Sequence, residues 1–368
     1  MYLNNNIVFS GILSLTFLIS CNTNKNEAEQ TISYPQTESP ILNEFVGSAP
    51  LQYINLDEVP VVNIRLTTEN IIYESGGGEE DIVQLKSKLL MKDRLYAFEG
   101  HEDKIIRMNL EGEVKETVAR NGRGPGEVLN VFSMNRNDSA IFVSDVSNAR
   151  INIHDLDFNP IGSIDGVNAM SIAVNNTYLA HRKMINIGTP TSGLITISKI
   201  DAPKDSVAKV MPKIVPDGFQ PGVFNATNFD LNNRNEIAAS YTYLPWLAVF
   251  DSTFSLERTL IFESSDFANR KFLPLKVVAG SSSSALGYDS VITNFKYTDE
   301  GDLYISDPSL GIIHLKRKPD RSIEAVTIYK IEYPEAEGQF NVGSFEVFED
   351  GTLMGASWYR WFKVNLGE

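Results

Sequence analysis

The chain has 368 residues, of which 42% are hydrophobic and 21% are charged, a balance typical of a folded globular protein. Acidic residues outnumber basic residues 47 to 32, and the resulting net charge of -15 argues against nucleic acid as a partner. A single cysteine, Cys21, excludes both an internal disulfide and a cysteine-based metal cluster.

The N-terminus has the pattern of an export signal. An uncharged apolar run extends from Ile7 to Ser20, shorter than the about 20 residues that a membrane-spanning helix needs. It ends in Leu18–Cys21, which resembles a bacterial lipobox, the motif whose cysteine receives a lipid. The segment Met1–Asn6 departs from the usual pattern because it has no Lys or Arg, and an ordinary signal peptide with an incidental cysteine is the alternative. We predict a lipoprotein signal peptide over residues 1–20 and lipidation of Cys21.

Residues 21–50 are polar and poor in large apolar side chains, so they predict a flexible tether and not a packed domain. Acyl chains on Cys21 would hold the protein on a membrane without spanning it. We therefore expect an exported protein, attached through its lipid anchor alone, in the bacterial cell envelope and most simply at the outer membrane.

From about Leu85 onward, short alternating apolar strands are separated by Gly, Asn and Asp turns, a pattern that predicts an all-β fold. The pattern repeats six times, with up to four strands in each unit, as in a β-propeller. The second strands of the six units are aligned on Tyr96, Phe142, Tyr178, Ile237, Tyr304 and Leu353. We predict one six-bladed propeller over residues 51–368.

The last unit runs out of chain after its third strand, near Val364. The early strand Val61–Leu66 has no partner in the first unit. We expect this strand to complete blade six and close the ring, because closure removes an exposed sheet edge.

The second unit contains Gly122–Val128, a strand ending in Asp145, the turn Asn148–Arg150 and an outer strand from Pro160. This order resembles the NHL repeat. Together with the lipobox, residues 55–368 look like the TolB-like or NHL-like six-bladed propeller lipoproteins of gut-type Gram-negative bacteria. Most members of that group have no assigned activity, so the resemblance implies the fold more than the function.

Strand ends around a propeller axis can converge on one pocket. The residues three positions after each aligned strand residue are Glu99, Asp145, His181, Ser240, Asp307 and Ala356. Except for the alanine, these side chains form a candidate channel ring that could hold Ca²⁺ or another divalent cation, although no cofactor is required by the sequence. The alternative is that the carboxylates cap the turns that follow their strands.

Two arginines, Arg120 and Arg123, flank a glycine-rich loop and are candidates for the channel mouth. The loop lacks the Lys-Ser/Thr of a phosphate-binding loop and leads into a strand, so a blade-connecting turn is the simpler interpretation. The four histidines have no metal-ligand spacing, and no G-x-S-x-G nucleophile motif is present.

Aromatic residues concentrate after two of the second strands and could stack on a ligand, although packing between blades is the alternative. These aromatic binding candidates are Tyr241, Tyr243, Trp246, Trp358, Tyr359 and Trp361. We expect a non-catalytic binding or scaffolding module for an envelope protein, a peptide or a glycan. The alternative is a metal-dependent hydrolase or lyase of the six-bladed lactonase type, with Glu99, Asp145, His181 and Asp307 as its metal ligands.

Overall fold

In a computed structural model of the protein, the chain forms six β-sheets, antiparallel except where two N-terminal strands add in parallel, and these sheets are the blades of a β-propeller. The structure describes residues 40–74, 85–183, 193–213, 225–268, 270, 290–298, 300–334, 342–357 and 360–367. Within these ranges, no helix is long and apolar enough to cross a membrane. The predicted all-β, six-bladed fold is confirmed.

The N-terminal part of the propeller domain contributes one short helix and three strands that join sheets formed later in the chain. These elements are α1 (Pro40–Gly47), β1 (Leu51–Asn55), β2 (Val61–Arg65) and β3 (Ile71–Glu74). Among the described residues, 3-10 helices cover Leu56–Glu58, Thr68–Asn70 and, later, Ser265–Phe267.

Each blade then takes its strands consecutively from the chain. Blade one contains β4 (Leu85–Leu90), β5 (Leu95–Glu99), β6 (Lys104–Met108) and β7 (Val114–Ala119). Blade two contains β8 (Val131–Arg136), β9 (Ile141–Asp145), β10 (Arg150–His154) and β11 (Pro160–Asp165). Blade three contains β12 (Ala169–Val174), β13 (Tyr178–Lys183), β14 (Ile195–Lys199) and β15 (Ser206–Val210).

The second half of the ring follows the same order. Blade four contains β16 (Thr227–Leu231), β17 (Ile237–Tyr241), β18 (Trp246–Phe250) and β19 (Leu256–Glu263). Blade five contains β20 (Asn294–Tyr297), β21 (Leu303–Asp307), β22 (Gly311–Arg317) and β23 (Ile323–Glu332). Blade six contains β24 (Ser344–Val347), β25 (Thr352–Ala356) and β26 (Arg360–Asn365).

An N-terminal strand closes blade six, as predicted, but it is β3 and not Val61–Leu66. Strand β3 pairs antiparallel with β26, whereas β2 pairs parallel with β23 and extends blade five. Strand β1 extends blade four in the same parallel way, on β19. Val61 and Val62 stay 47% and 41% exposed on this outer rim. An alternating apolar run fits any open sheet edge, so its pattern does not specify which blade it joins.

The first strands surround the axis, and each contacts the next until β24 returns to β4. The core lies between neighbouring blades, where Tyr96 and Phe98 of blade one pack with Ile141 and Val143 of blade two. The tight turn between the first and second strands of blade six needs a left-handed residue, and Gly351 supplies it with φ 79°.

Candidate functional site in the axial cavity

A cavity of about 330 Å³ lies on the propeller axis, on the side where the first strands begin. All six first strands contribute to its lining, together with the chain just before β24 and just after β25. Its volume falls at the lower end of the range for small-molecule sites, about 300–1,000 Å³. The cavity can therefore enclose a small ligand or the tip of a larger one.

Every blade presents a neutral hydrogen-bonding side chain to this cavity from the same level of its first strand. The strand pairings Ser133 with Ser144, Asn228 with Ser240, and Asn294 with Ser306 establish the common level. We call the set the polar ring; its members are Ser87, Ser133, Ser171, Asn228, Asn294 and Ser344.

Three members of the polar ring form hydrogen bonds within the protein, and the first is the Ser133 hydroxyl oxygen, which accepts from the Ile172 backbone N–H at 3.3 Å. The Asn228 side-chain amide donates to the Ile292 carbonyl oxygen at 2.8 Å, and the Asn294 side-chain oxygen accepts from the Phe295 backbone N–H at 2.9 Å. The Ser344 hydroxyl is different, because its oxygen is buried and has no hydrogen-bond partner among the described residues. A buried hydroxyl without a partner costs free energy unless a bound molecule satisfies it.

Charged residues separate this cavity from a smaller one, of about 110 Å³, at the other end of the axis. Asp230, Lys296 and Glu346 line both cavities, and we call these three residues the charged divider. The Lys296 ammonium lies 3.0 Å from a Glu346 carboxylate oxygen. Burial alone would lower the pKa of Lys296, but the Glu346 and Asp230 carboxylates outweigh it and the pKa is raised. Burial raises the pKa of Asp230, whose carboxylate accepts a hydrogen bond from the Tyr297 backbone N–H at 2.9 Å.

Blade one differs from the other blades at the residue that directly follows its polar-ring serine, which is Lys88. The pairing of Lys88 with Ala97 in β5 puts the lysine level with an apolar residue in every other blade. Those residues are Met134, Ile172, Phe229, Phe295 and Phe345. The Lys88 ammonium donates to the Ser357 carbonyl oxygen at 3.1 Å. Burial lowers the pKa of Lys88 to about 8.

The carboxylates of the predicted channel ring are occupied by backbone and side-chain donors. Glu99 accepts from the backbone N–H groups of His101 and Glu102, both at 2.8 Å. Asp145 accepts from the backbone N–H groups of Leu129 and Asn130, both at 3.2 Å, and also from the turn that follows its own strand. These two carboxylates therefore stabilise connections between strands, as the turn-capping alternative proposed.

The third predicted carboxylate, Asp307, forms a buried ion pair. Its two oxygens each accept a hydrogen bond of 2.6 Å from the Arg270 guanidinium, and one also accepts from the backbone N–H groups of Ser309 and Leu310 at 2.8 Å. The side chains of Arg270 and Asp307 are 8% and 2% exposed, so this pair is shielded from solvent. The pair joins Arg270, which follows blade four in the chain, to the end of strand β21 in blade five.

The other two ring candidates, His181 and Ser240, lie at different levels along their strands. The sequence alignment of the second strands was out of register in blades three and four. Glu99, Asp145 and Asp307 each lie four positions after the residue at which their second strand begins to pair with its first strand. The residues at the same position in the remaining blades are Lys183, Tyr241 and Ser357. Ser240 is one residue and His181 two residues short of that level. A one-residue slip turns a strand side chain to the opposite face.

His181 and Ser240 are both buried, and neither side chain has a hydrogen-bond partner among the described residues. Burial lowers the pKa of His181 to about 4, so its imidazole is neutral at pH 7. None of the five predicted ring residues belongs to the cavity lining, and no group of three or more His, Cys, Asp or Glu residues suited to a metal is found in the described ranges.

The two arginines predicted at the channel mouth lie in a connecting loop over blade two. Arg120 and Arg123 are exposed, and neither lines the axial cavity. The Arg150 guanidinium instead holds this loop, donating to the carbonyl oxygens of Arg123 at 3.0 Å and of Glu127 at 2.8 Å. The loop connects blades one and two, and the channel-mouth role of the two arginines stays a prediction.

Most of the described aromatic candidates are core residues. Tyr241, Trp246 and Trp361 are 1%, 5% and 1% exposed, so they cannot form a stacking surface, and packing between blades accounts for them. Burial raises the pKa of Tyr241, whose hydroxyl donates to the Pro212 carbonyl oxygen at 2.5 Å. Tyr243 is half-buried.

Three further predictions fall on residues that the structure does not describe. Cys21, Trp358 and Tyr359 all lie outside the described ranges.

The polar ring and Lys88 were not predicted as a site, although the sequence carried a signal. Asn228, Asn294 and Ser344 each stand directly before a phenylalanine at the start of a predicted first strand. This Ser/Asn-Phe pair recurs in blades four, five and six, and its polar member lines the axial cavity.

Comparisons with known proteins agree with this fold. Neither a protein-family model nor a curated protein matches the chain. A solved structure of a DUF4221 family member from Bacteroides vulgatus has 11% sequence identity and a TM-score of 0.52, covering 82% of this chain and 94% of its own.

Two more distant structures also superimpose on most of the chain. A protein from Bacteroides fragilis that is predicted to be exported has 11% identity and a TM-score of 0.45, covering 80% of this chain and 88% of its own. A streptogramin B lyase has 10% identity and a TM-score of 0.45, covering 79% of this chain and 96% of its own. At identities this low, no activity is transferred from these proteins to this chain.

Proposed function

We propose that this protein is an exported, lipid-anchored propeller that acts as a non-catalytic binding module, with its ligand or a protruding part of its partner held in the axial cavity. The observation that carries the proposal is the polar ring. Six blades of dissimilar sequence each place a serine or an asparagine at one level of the same cavity. Packing alone would favour apolar side chains there, so the retained polar groups support recognition of a polar molecule.

The lining of the cavity favours binding over catalysis. None of the four histidines of the sequence belongs to it, and His181, which pairs across the strands with the residue after Ser171, forms no hydrogen bond to a described residue. The carboxylates of Asp230 and Glu346 are engaged by a backbone N–H and by Lys296 respectively. The arrangement offers hydrogen bonds to a ligand and no activated nucleophile of the Ser-His kind.

Anchoring through Cys21 rests on the sequence. The apolar run before this cysteine and the lipobox-like Leu18–Cys21 support processing to a lipidated N-terminus. Labelled palmitate should be incorporated into the wild type and not into Cys21→Ser, and the variant should leave the membrane fraction. Equal labelling of both proteins would refute the anchor and leave the cavity proposal untouched.

The binding function is tested on arrays of glycans and of short peptides, with the purified protein lacking residues 1–21. Ser171 lines the cavity, and Ser163 is exposed on the outer strand β11 of the neighbouring blade, so Ser171→Trp and Ser163→Trp add the same bulk at an axial and at an outer position. We expect the wild type and Ser163→Trp to bind the same array members and Ser171→Trp to lose them. Equal binding by all three proteins would refute the axial site.

A further inference from the structure

Lys88 occupies a position at which the five other blades each have an apolar side chain. Its counterparts across the strand pairings are one methionine, one isoleucine and three phenylalanines. A lysine buried at such a level is penalised by desolvation. Residues that break a repeated packing rule without a compensating structural partner are expected at functional sites.

The surroundings of Lys88 do not neutralise its charge. Its ammonium has a carbonyl oxygen, that of Ser357, as its hydrogen-bond partner, and no carboxylate of a described residue lies within ion-pair distance. The remaining charged residues of the cavity lining are Asp230, Lys296 and Glu346. Lys296 lies between the two carboxylates of that group, so its charge is already balanced. Lys88 is therefore the cation of the cavity lining that can pair with a charged ligand.

A second ligand-directed group lies beside Lys88, at the junction of blades six and one. Strands β24 and β4 are neighbours around the axis, so Ser344 and Lys88 line adjoining parts of the cavity. The Ser344 hydroxyl oxygen is buried and has no partner among the described residues. An ammonium and a free hydroxyl together are suited to bind a carboxylate, which accepts several hydrogen bonds.

We propose that the axial cavity binds an acidic sugar, of the uronic acid type, whose carboxylate is held by Lys88 and Ser344 and whose hydroxyl groups contact the polar ring. This inference rests on the proposed binding function and names its ligand class. The serine hydroxyls and asparagine amides of the ring both donate and accept, as the hydroxyl groups of a sugar require. The cavity volume of about 330 Å³ limits the enclosed part to one or two sugar units.

An apolar surface in the same cavity favours a sugar over a peptide carboxyl terminus. Phe132 lines the cavity and is 40% exposed, so its ring is free to contact the C–H face of a pyranose. The polar ring offers side-chain groups all around the axis, whereas an extended peptide is recognised chiefly through main-chain hydrogen bonds to a strand edge. We therefore assign the carboxylate to a sugar.

The test is calorimetric titration of the protein lacking residues 1–21 with three probes: D-glucuronate, D-glucose and N-acetylglycine. The variants are Lys88→Met, which restores the apolar residue found at this level in blade two, Ser344→Ala, and Lys115→Met as a control on the exposed outer strand of blade one. We expect glucuronate to bind at least about tenfold more tightly than glucose, the effect of one charge-assisted hydrogen bond. Lys88→Met should remove this preference, Ser344→Ala should weaken it, and Lys115→Met should leave it unchanged.

Equal affinities for glucuronate and glucose in the wild type, or a preference that survives in Lys88→Met, would overturn the inference. Binding of N-acetylglycine as tight as that of glucuronate would overturn the sugar assignment in favour of a peptide terminus. The two failures are distinguishable. If Ser171→Trp loses array ligands that contain no carboxylate, the proposed binding function holds and the acidic sugar is wrong, whereas equal array binding by the wild type, Ser171→Trp and Ser163→Trp refutes the binding site itself.

Discussion

The Lys88 ammonium donates a hydrogen bond of 3.1 Å to the Ser357 carbonyl oxygen, and this contact joins blade one to the chain that follows β25 in blade six. The carbonyl oxygen satisfies one of the three ammonium donors but supplies no full negative charge. A cation is thereby held at the axis without an ion pair among the described residues. This relationship distinguishes Lys88 from Lys296, which lies between two carboxylates.

The first prediction concerns the stability cost of Lys88. Burial lowers the pKa of Lys88 from 10.5 to about 8, so the folded state is penalised at pH 7. We expect Lys88→Met to raise the free energy of unfolding by about 2 kcal/mol at pH 7, a value reduced from the full shift because the side chain is partly exposed. Urea unfolding of both proteins measures this difference.

The pH dependence of that difference has a defined sign. Between pH 8 and 10.5 the unfolded chain keeps the Lys88 proton that the folded chain has lost, so the wild type gains stability as the pH rises. The advantage of Lys88→Met should therefore shrink from pH 7 to pH 10, whereas Lys115→Met should show no such trend. A destabilised Lys88→Met would mean that the lysine is a structural residue.

The second prediction concerns the buried pair of Arg270 and Asp307. Removal of the guanidinium leaves a carboxylate that is 2% exposed without its counter-charge, so Arg270→Ala should lower the free energy of unfolding by about 3–5 kcal/mol. Lys92→Ala breaks the exposed pair with Asp350 and is the control, for which we expect little change. Similar melting temperatures for the two variants would contradict the structural role of Asp307.

The third prediction is a loss of stability in acid caused by His181. Its pKa is about 4 in the folded protein and 6.5 ordinarily, so the unfolded chain takes up a proton between these values that the folded chain does not. This uptake should lower the free energy of unfolding by about 3 kcal/mol as the pH falls from 6.5 to 4. His181→Gln should flatten the slope, and His101→Gln, at an exposed position, should not. Identical slopes in all three proteins would exclude His181 as the cause.

The fourth prediction separates the closing strand from the segment that precedes it. Deletion of residues 22–39 should leave the melting temperature unchanged if these residues form a tether. Deletion of residues 22–75 also removes β3, leaves the β26 edge unpaired, and should abolish cooperative unfolding or cause aggregation. A cooperative transition at the wild-type temperature in the longer deletion would refute closure by β3.

The fifth prediction concerns divalent cations. Because Glu99 and Asp145 are bonded to backbone N–H groups and Asp307 to Arg270, chelator should not change the melting temperature, and Ca²⁺ or Zn²⁺ should not raise it. A cation at 100 times its dissociation constant would stabilise the fold by about 2.7 kcal/mol, which a melting curve detects. Such a rise would favour the metal-dependent hydrolase or lyase alternative.

The sequence predicted the blades because each one repeats the same local pattern of short apolar strands and polar turns. The segment Leu303–Asp307, for example, has its β-branched and aromatic residues between a glycine turn and an aspartate that caps the next turn. Such local chemistry is sufficient to define a second strand. The ring closure was predicted from the missing fourth strand of blade six.

The site was predicted poorly because it depends on register. Tyr178 and Ile237 look equivalent as large residues after a turn, but the hydrogen-bonded turns place Leu179 level with Ile237. The alignment was out by one residue in blade four, which exchanges the two faces of a strand, and by two residues in blade three, so Ser240 and His181 were assigned to a ring where they do not belong. Lys88 could not be recognised until the pairing with Ala97 showed which residues share its level.

The most direct test of the axial site is a crystal structure of the protein with its tightest array ligand bound. Our account predicts ligand density in the cavity, within hydrogen-bond distance of polar-ring residues such as Asn228 and Ser344, and a carboxylate at the Lys88 ammonium. Density on the outer strands of the blades, with the axial cavity filled by water alone, would contradict it.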